Sequence, residues 1–339
     1  MDTSATTRHA DRLQRTRREF DRLATLGLGR ESLFRRAAEL LQPVVPFDGG
    51  CWHTLDPATH LITSHWTNLS GDGFAMIVEN EYRHDDVAKF ARLAAQRVPA
   101  SALTAETARG SMRFAAYRER GWKSELRAAF VVDGEPWGAV MLLRSADVRP
   151  FSENEMRAVA TLGTPLGLAI RRAVATETAL APPAGVGVVV VAGTNHVESL
   201  GGVDPTWADD PALLAVAAQA RGGGADARAR VRDAGGSWFV LHGTALSSEE
   251  DRVAVVVEPA QSSDIAPLLT AAHGLTRRER DVLREVSRGH STKQIAAALH
   301  VTPYTVQDHL KSIFEKTGTS TRSELVARLF FLDFEPRLG

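Results

Sequence analysis

The stretch HVTPYTVQDHLKSIFEKTG, His300 to Gly318, holds the side chains best placed to do chemistry. A Thr302 cap followed by Pro303 at the first helical position starts a helix. On that helix Val306, Leu310, Ile313 and Phe314 share one face, and Tyr304, Gln307, Asp308 and Lys311 share another. The first face can pack. The second presents an amide, a carboxylate and an ammonium that match base edges in the major groove of B-DNA: Gln307 can pair with adenine, Lys311 with guanine, and Asp308 can accept from cytosine. Taken alone, such a face is more often a solvated surface, so its meaning depends on the elements that hold it.

Those elements are well marked. Thr276 with Glu279, Ser291 with Gln294, and Thr321 with Glu324 have capping-box spacing, in which side chains at both ends satisfy unpaired backbone N–H groups. Gly289 sits where the first helix should end in a left-handed residue. Four helices are expected, with Val282, Leu283, Val286, Ile295, Leu299, Val306, Leu310, Ile313 and Phe314 in one core and the small Ala296 at a close approach. The link LHV is too short for the second and third helices to fold back as an antiparallel pair. They should cross steeply, as in a helix-turn-helix, with Gln307 and Lys311 outward.

The stretch LTRRERDVLREVSRGHSTKQIAAALHVTPYTVQDHLKSIFEKTGTSTRSELV is similar to the C-terminal DNA-binding domain of LuxR/FixJ-type transcription regulators, through Leu275-Thr276 with Glu279, Gly289, Lys293, Ile295-Ala296, Thr305-Val306, His309, Ile313 and Lys316. It departs from the common pattern at Thr292, where Asn is frequent, and at Thr317, where Leu is frequent. The resemblance implies that Lys293, Thr305 and Lys316 contact phosphates, which fixes register without reading sequence. Thr302 and Tyr304 complete the expected DNA-facing set; Tyr304 fits either the phosphate backbone or a neighbouring helix, and His309 reads more readily as a packed or capping residue than as a base contact. From Leu275 to the end there are 11 Lys/Arg against 8 Asp/Glu, a modest excess. One recognition helix reads only a few base pairs, so a homodimer is expected, with Glu324, Arg328, Leu329 and the N-terminal arm as outward candidates for contact.

Upstream, residues 1–30 read as a helical arm, either solvated or dimer-forming. Residues 31–178 read as a mixed sheet with inserted helices, a hairpin turning at Asp133-Gly134, and a helix capped by Ser152 and Glu155 and possible to kink at Pro165. GEPWGAVMLLR followed by FSENEMRAVATLGTPLGLAIRRAV resembles a GAF domain. After the linker ALAPPAG, residues 183–260 give a strand, a second short strand, a helix, a hairpin across Gly235-Gly236 and a last strand. That order resembles a reduced PAS domain. The DNA-binding module is expected over residues 270–339. The fold class is thus α+β multidomain, two mixed α/β sensor domains before an all-α four-helix domain, and the GAF and PAS resemblances imply sensing without naming the signal.

Composition narrows the classes. The chain has 339 residues, 44% of them hydrophobic and 24% charged, the balance of a globular protein, and a formal net charge of −1. One cysteine, Cys51, excludes an intramolecular disulfide and cysteine-rich zinc sites, and fits a cytoplasmic setting. No secretory core or membrane-length apolar stretch occurs. Arg far outnumbers Lys, which hints at a GC-rich bacterial genome. Cys51, His53, His60, His65 and Trp66 crowd two neighbouring strands but lack ligand spacing, so no metal or cofactor is expected. There is no G-x-x-x-x-G-K-[ST] loop, and RGGGAD at 221–226 precedes no phosphate-binding helix. No nucleophile with a base is evident, so no enzyme is expected. The leading expectation is a sequence-specific DNA-binding regulator that senses a small molecule; the alternative is that the GAF/PAS part binds a regulatory protein.

Overall fold

The computed structural model describes residues 3–69, 73–145, 148–176, 185–224, 227–233, 235–247 and 251–330. The arm is α1 (Thr3–Leu23), followed by α2 (Arg30–Leu41). Its C-terminal part is held, because Phe20 and Leu23 are buried, as are Leu33, Phe34, Ala37 and Leu41 on α2. The first sheet joins β1 (Gly49–Leu55), β2 (Ile62–Thr67), β3 (Ala100–Leu103), β4 (Trp122–Val132) and β5 (Glu135–Ser145) in the order β2-β1-β5-β4-β3. Between β2 and β4 lie α3 (Gly73–Tyr82), α4 (Phe90–Ala94) and α5 (Met112–Glu119). The β4–β5 hairpin turns at Asp133 and Gly134, with φ of 53° and 84°, the left-handed pair that a two-residue turn needs.

Alternation along the strands gives this sheet two unlike faces. Trp52 on β1 meets Phe34 of α2 and Phe130 of β4 on the apolar one. Here α6 (Glu153–Thr176), capped by Ser152 and Glu155, runs through Pro165 as a single helix. Its Gly163 allows close approach, since a Cβ there would stand 3.1 Å from the Phe130 ring. The other face is charged and buried. Arg113 of α5 donates to Glu125, Arg127 donates to Glu81 at 2.6 Å, and Asp86 accepts from Asn80 and Ser111. Both guanidinium side chains are fully buried and paired with carboxylates, although Arg127 Nε has no partner among the described residues.

The second sheet comprises β6 (Gly187–Ala192), β7 (His196–Gly201), β8 (Arg228–Arg232), β9 (Trp238–Ser247) and β10 (Arg252–Pro259), in the order β7-β6-β10-β9-β8. Neighbours follow the same sequence as in the first sheet: second, first, fifth, fourth, third. Between β7 and β8 the described residues hold a 3-10 turn (Pro205–Asp209) and one helix, α7 (Pro211–Arg221), on the segment read as helical. The linker expected at Ala179–Gly185 falls outside the described residues except for Gly185.

The C-terminal helices are α8 (Ser262–Ala272), α9 (Arg277–Ser287), α10 (Thr292–Leu299), α11 (Pro303–Thr317) and α12 (Arg322–Phe330). The four expected helices are present, and α8 precedes them. Val282, Leu283, Val286, Ile295, Ala296, Val306, Leu310, Ile313 and Leu325 form the buried interior. Leu329 was expected to face outward; it is 3% exposed instead, because α12 packs on α8, whose Ile265, Leu268 and Leu269 are buried. No helix among the described residues is long and apolar enough to cross a membrane.

Candidate nucleic-acid interface

The helix-turn-helix is built by caps. Thr276 and Ser291 each close a reciprocal capping box, with Glu279 and Gln294. Gly289 ends α9 at φ 80°, and His300 takes the left-handed conformation at φ 54° after α10. This residue turns the chain so that Thr302 starts α11, its hydroxyl accepting from the Thr305 N–H. At α12 the expected box is altered. Thr321 accepts from the Glu324 N–H, while the Glu324 carboxylate accepts from the Ser320 N–H rather than from Thr321.

These constraints expose one face of α11. Val306, Leu310 and Ile313 are buried, whereas Gln307, Asp308 and Lys311 are exposed and Tyr304 is 79% exposed. Among the described residues Gln307, Asp308, Lys311 and Lys293 make no side-chain hydrogen bond or ion pair, so their polar groups are available. Gln307 and Lys311 line a shallow groove with Thr292, Glu315 and Arg322. Tyr304 projects from the first turn and does not pack on a neighbouring helix. His309 is half-buried.

Two expected contact residues have work inside the module. Thr305 bonds the Thr302 hydroxyl at 2.9 Å. Lys316 donates to both oxygens of Glu279, at 2.8 and 2.7 Å, and Ser312 donates to the same carboxylate at 2.6 Å. Burial would raise the pKa of Glu279, but the hydrogen bonds from Lys316, Ser312 and Thr276 outweigh it and bring the group down to about 2. Lys316 therefore joins α11 to the start of α9, whatever else it touches.

The departures from the common pattern are resolved locally. Buried Thr317 donates to the Ile313 carbonyl at 2.8 Å and shares a hydroxyl bond with Thr319, so no polar group is orphaned. Thr292 accepts from Arg322, which also donates to the His290 carbonyl. Arg322, absent from the expected set, thus fastens α12 to the turn before α10. Its cue was its place one residue after Thr321, in the first turn of a capped helix.

Among the described residues no cluster of three or more His, Cys, Asp or Glu has the arrangement to hold a metal ion. His53 faces His65 across the strands, with ring centroids 6.5 Å apart, while His60 sits in the turn at φ 61° and Trp66 pairs with Trp52. Trp137 is fully buried beside Gly138. Cys51 is buried, its thiol pushed up to about 12 by desolvation. What the sequence could not show is the surroundings of His53: it is fully buried, neither ring nitrogen has a hydrogen-bond partner among the described residues, and Phe74 and Phe90 stand 6.1 and 5.6 Å away. Burial, then His65, then Arg127 hold it neutral.

Residues 273–329 match the family model for bacterial regulatory proteins of the luxR family. This segment of the chain is a LuxR-type helix-turn-helix domain. It is 40% identical over 67 residues to the probable transcriptional regulatory protein NarL of Mycobacterium tuberculosis, covering 20% of this chain and 28% of that protein. It is 42% identical over 69 residues to the transcriptional regulatory protein UhpA of Salmonella typhimurium, covering 20% and 35%. The chain therefore spans about a third or less of these relatives' length. Among solved structures, SdiA of Escherichia coli aligns over 93% of this chain and 96% of its own, at 11% identity and a TM-score of 0.37, too distant to inform the upstream part.

Proposed function

We propose that this chain is a non-catalytic transcription regulator that binds double-stranded DNA sequence-specifically through its C-terminal module. The observation that carries the reading is α11: one face is locked into the core, and the other offers Tyr304, Gln307, Asp308 and Lys311, exposed and side by side. In this reading Gln307, Asp308 and Lys311 read bases. Lys293, Thr302, Thr305 and Lys316, at the ends of α10 and α11, set the register on phosphates. Two modules act together as a homodimer, because one helix reads too few base pairs for useful discrimination. The upstream part responds to a small molecule, a reading supported by the nitrogens of His53, which have no partner among the described residues and lie among aromatic rings. A buried polar group without a partner is costly unless something satisfies it.

Selection of bound fragments from genomic DNA tests the reading. A shared sequence motif is expected; recovery of fragments with no common element would overturn it. Thermal shifts with a metabolite panel test the sensing part, since a ligand that binds the folded state raises stability by RT ln(1 + [L]/Kd). If a purified regulatory protein raises the melting temperature and no metabolite does, the signal is a partner protein.

A further inference from the structure

The helix of the second sheet is apolar all round. Ala212, Leu213, Ala215, Val216, Ala217, Ala218 and Ala220 of α7 are all buried, which a helix covering one sheet does not need. It has two partners. On one side lies its own sheet, where a Cβ on Gly243 would stand 2.7 Å from Val216 Cγ1 and 3.2 Å from Ala220 Cβ. On the other lie α3 and β2 of the first sheet's lobe. Small residues bring both contacts close: a Cβ on Gly222, just past α7, would come within 2.7 Å of the Tyr82 carbonyl.

Charge fixes this contact in one register. Arg221 at the end of α7 pairs with Glu79 of α3, the side chains 2% and 6% exposed. Arg230 of β8 donates from Nε to Asp56, just past β1, at 2.8 Å, with side chains 9% and 1% exposed. Arg83 reaches Asp251 at 2.9 Å at the rim. Buried pairs of this kind add little net stability but penalise every arrangement that separates them. The two carboxylates follow closely on the residues of the first lobe's aromatic interior: α3 also carries Phe74, stacked on His65 at 4.1 Å, and β1 carries His53. Between α7 and its sheet the contacting side chains are small or branched and buried, Val216 and Ala220 of α7 lying close to Gly243.

We propose that the second lobe is a coupling piece rather than a second ligand site, taking its state from the first lobe through Glu79–Arg221 and Asp56–Arg230. From this lobe β10 leads, within three residues, from Pro259 to the start of α8 at Ser262. The proposal rests on the reading that the first lobe senses, but the clamp is testable without any signal. Hydrogen exchange on the full chain reads it. Phe74→Ala loosens the first lobe's interior and is expected to speed exchange of α7 amides by about tenfold or more, the scale of coupled sites. In a Glu79→Gln/Arg221→Met background that response should vanish, while exchange in α9–α12 stays unchanged throughout. If the double variant does not fold, Arg221→Lys with Glu79→Gln keeps one charge and should reduce the same response. An α7 that ignores Phe74→Ala, or responds equally with and without the clamp, overturns the proposal. A metabolite panel that gives no thermal shift bears on sensing alone.

Discussion

At the scale of single residues, labour is divided between α11 and its neighbour α10. Lys293→Ala should weaken binding to all duplexes alike and lower the salt slope by about 0.9, as one phosphate contact is lost. Gln307→Ala or Lys311→Ala should relax preference at one or two base pairs by about 1–3 kcal/mol. Titrations of specific and random duplexes at several salt concentrations separate the two. Lys316 differs, because it holds Glu279. Lys316→Ala should lower module stability by about 1 kcal/mol, the scale of a partly exposed pair, and bring the acid transition to higher pH. The sign follows from Glu279, whose folded value of about 2 lies below its ordinary 4.5. The pair's contribution is complete above pH 4.5 and is lost as pH falls toward 2. His53 acts earlier. Held well below its ordinary 6.5 by burial, it favours the folded state fully above that pH, and the contribution is lost as pH falls below it, when the unfolded chain takes the proton first. His53→Phe should leave the melting temperature at pH 7 unchanged or higher and flatten its decline between about pH 6.5 and 5; an unaltered pH profile would contradict this. None of these environments was legible in the sequence, where His53 was one of several scattered histidines and Lys316 a family phosphate contact. Burial and partner choice arise only when distant segments meet.

At the scale of elements, what the sequence showed well was local. The boxes at Thr276 and Ser291, the left-handed Gly289 and the Asp133-Gly134 turn are each set within a few neighbouring residues, so their chemistry is visible in order. Leu329 was misread for the opposite reason. Most of its partner α8 lies before residue 270, the start assigned to the module, and an apolar residue looks outward when most of the helix that covers it has been left out. A boundary at residue 262 follows. A fragment 262–339 should melt cooperatively and at a higher temperature than 270–339, which truncates α8 and uncovers Leu325 and Leu329. Equal melting temperatures would show that α8 adds nothing to the module. The order of elements along the chain was likewise legible, but neither the order of strands within each sheet nor the charged face of the first sheet was. Arg113, Glu125 and Arg127 look like surface residues until α3, α4 and α5 close over them.

At the scale of the whole molecule, the proposed reading places a sensing lobe, a coupling lobe and a DNA-reading helix in that order along one chain. Dimerisation belongs here, since two recognition helices on a two-part site supply discrimination that one cannot. Sedimentation with specific duplex should show two chains per site, and a single chain per fully bound site would remove the homodimer from the account. The most direct test of the central claim is a competition titration: full-length protein, the duplex recovered by genomic selection, and random duplex of equal length, at fixed near-physiological salt. The account predicts that the selected duplex binds at least about a thousandfold more tightly than the random one, and that Gln307→Ala/Lys311→Ala erases most of that ratio while the module stays folded. Equal affinity for the two duplexes, or a ratio untouched by the double substitution, would contradict it.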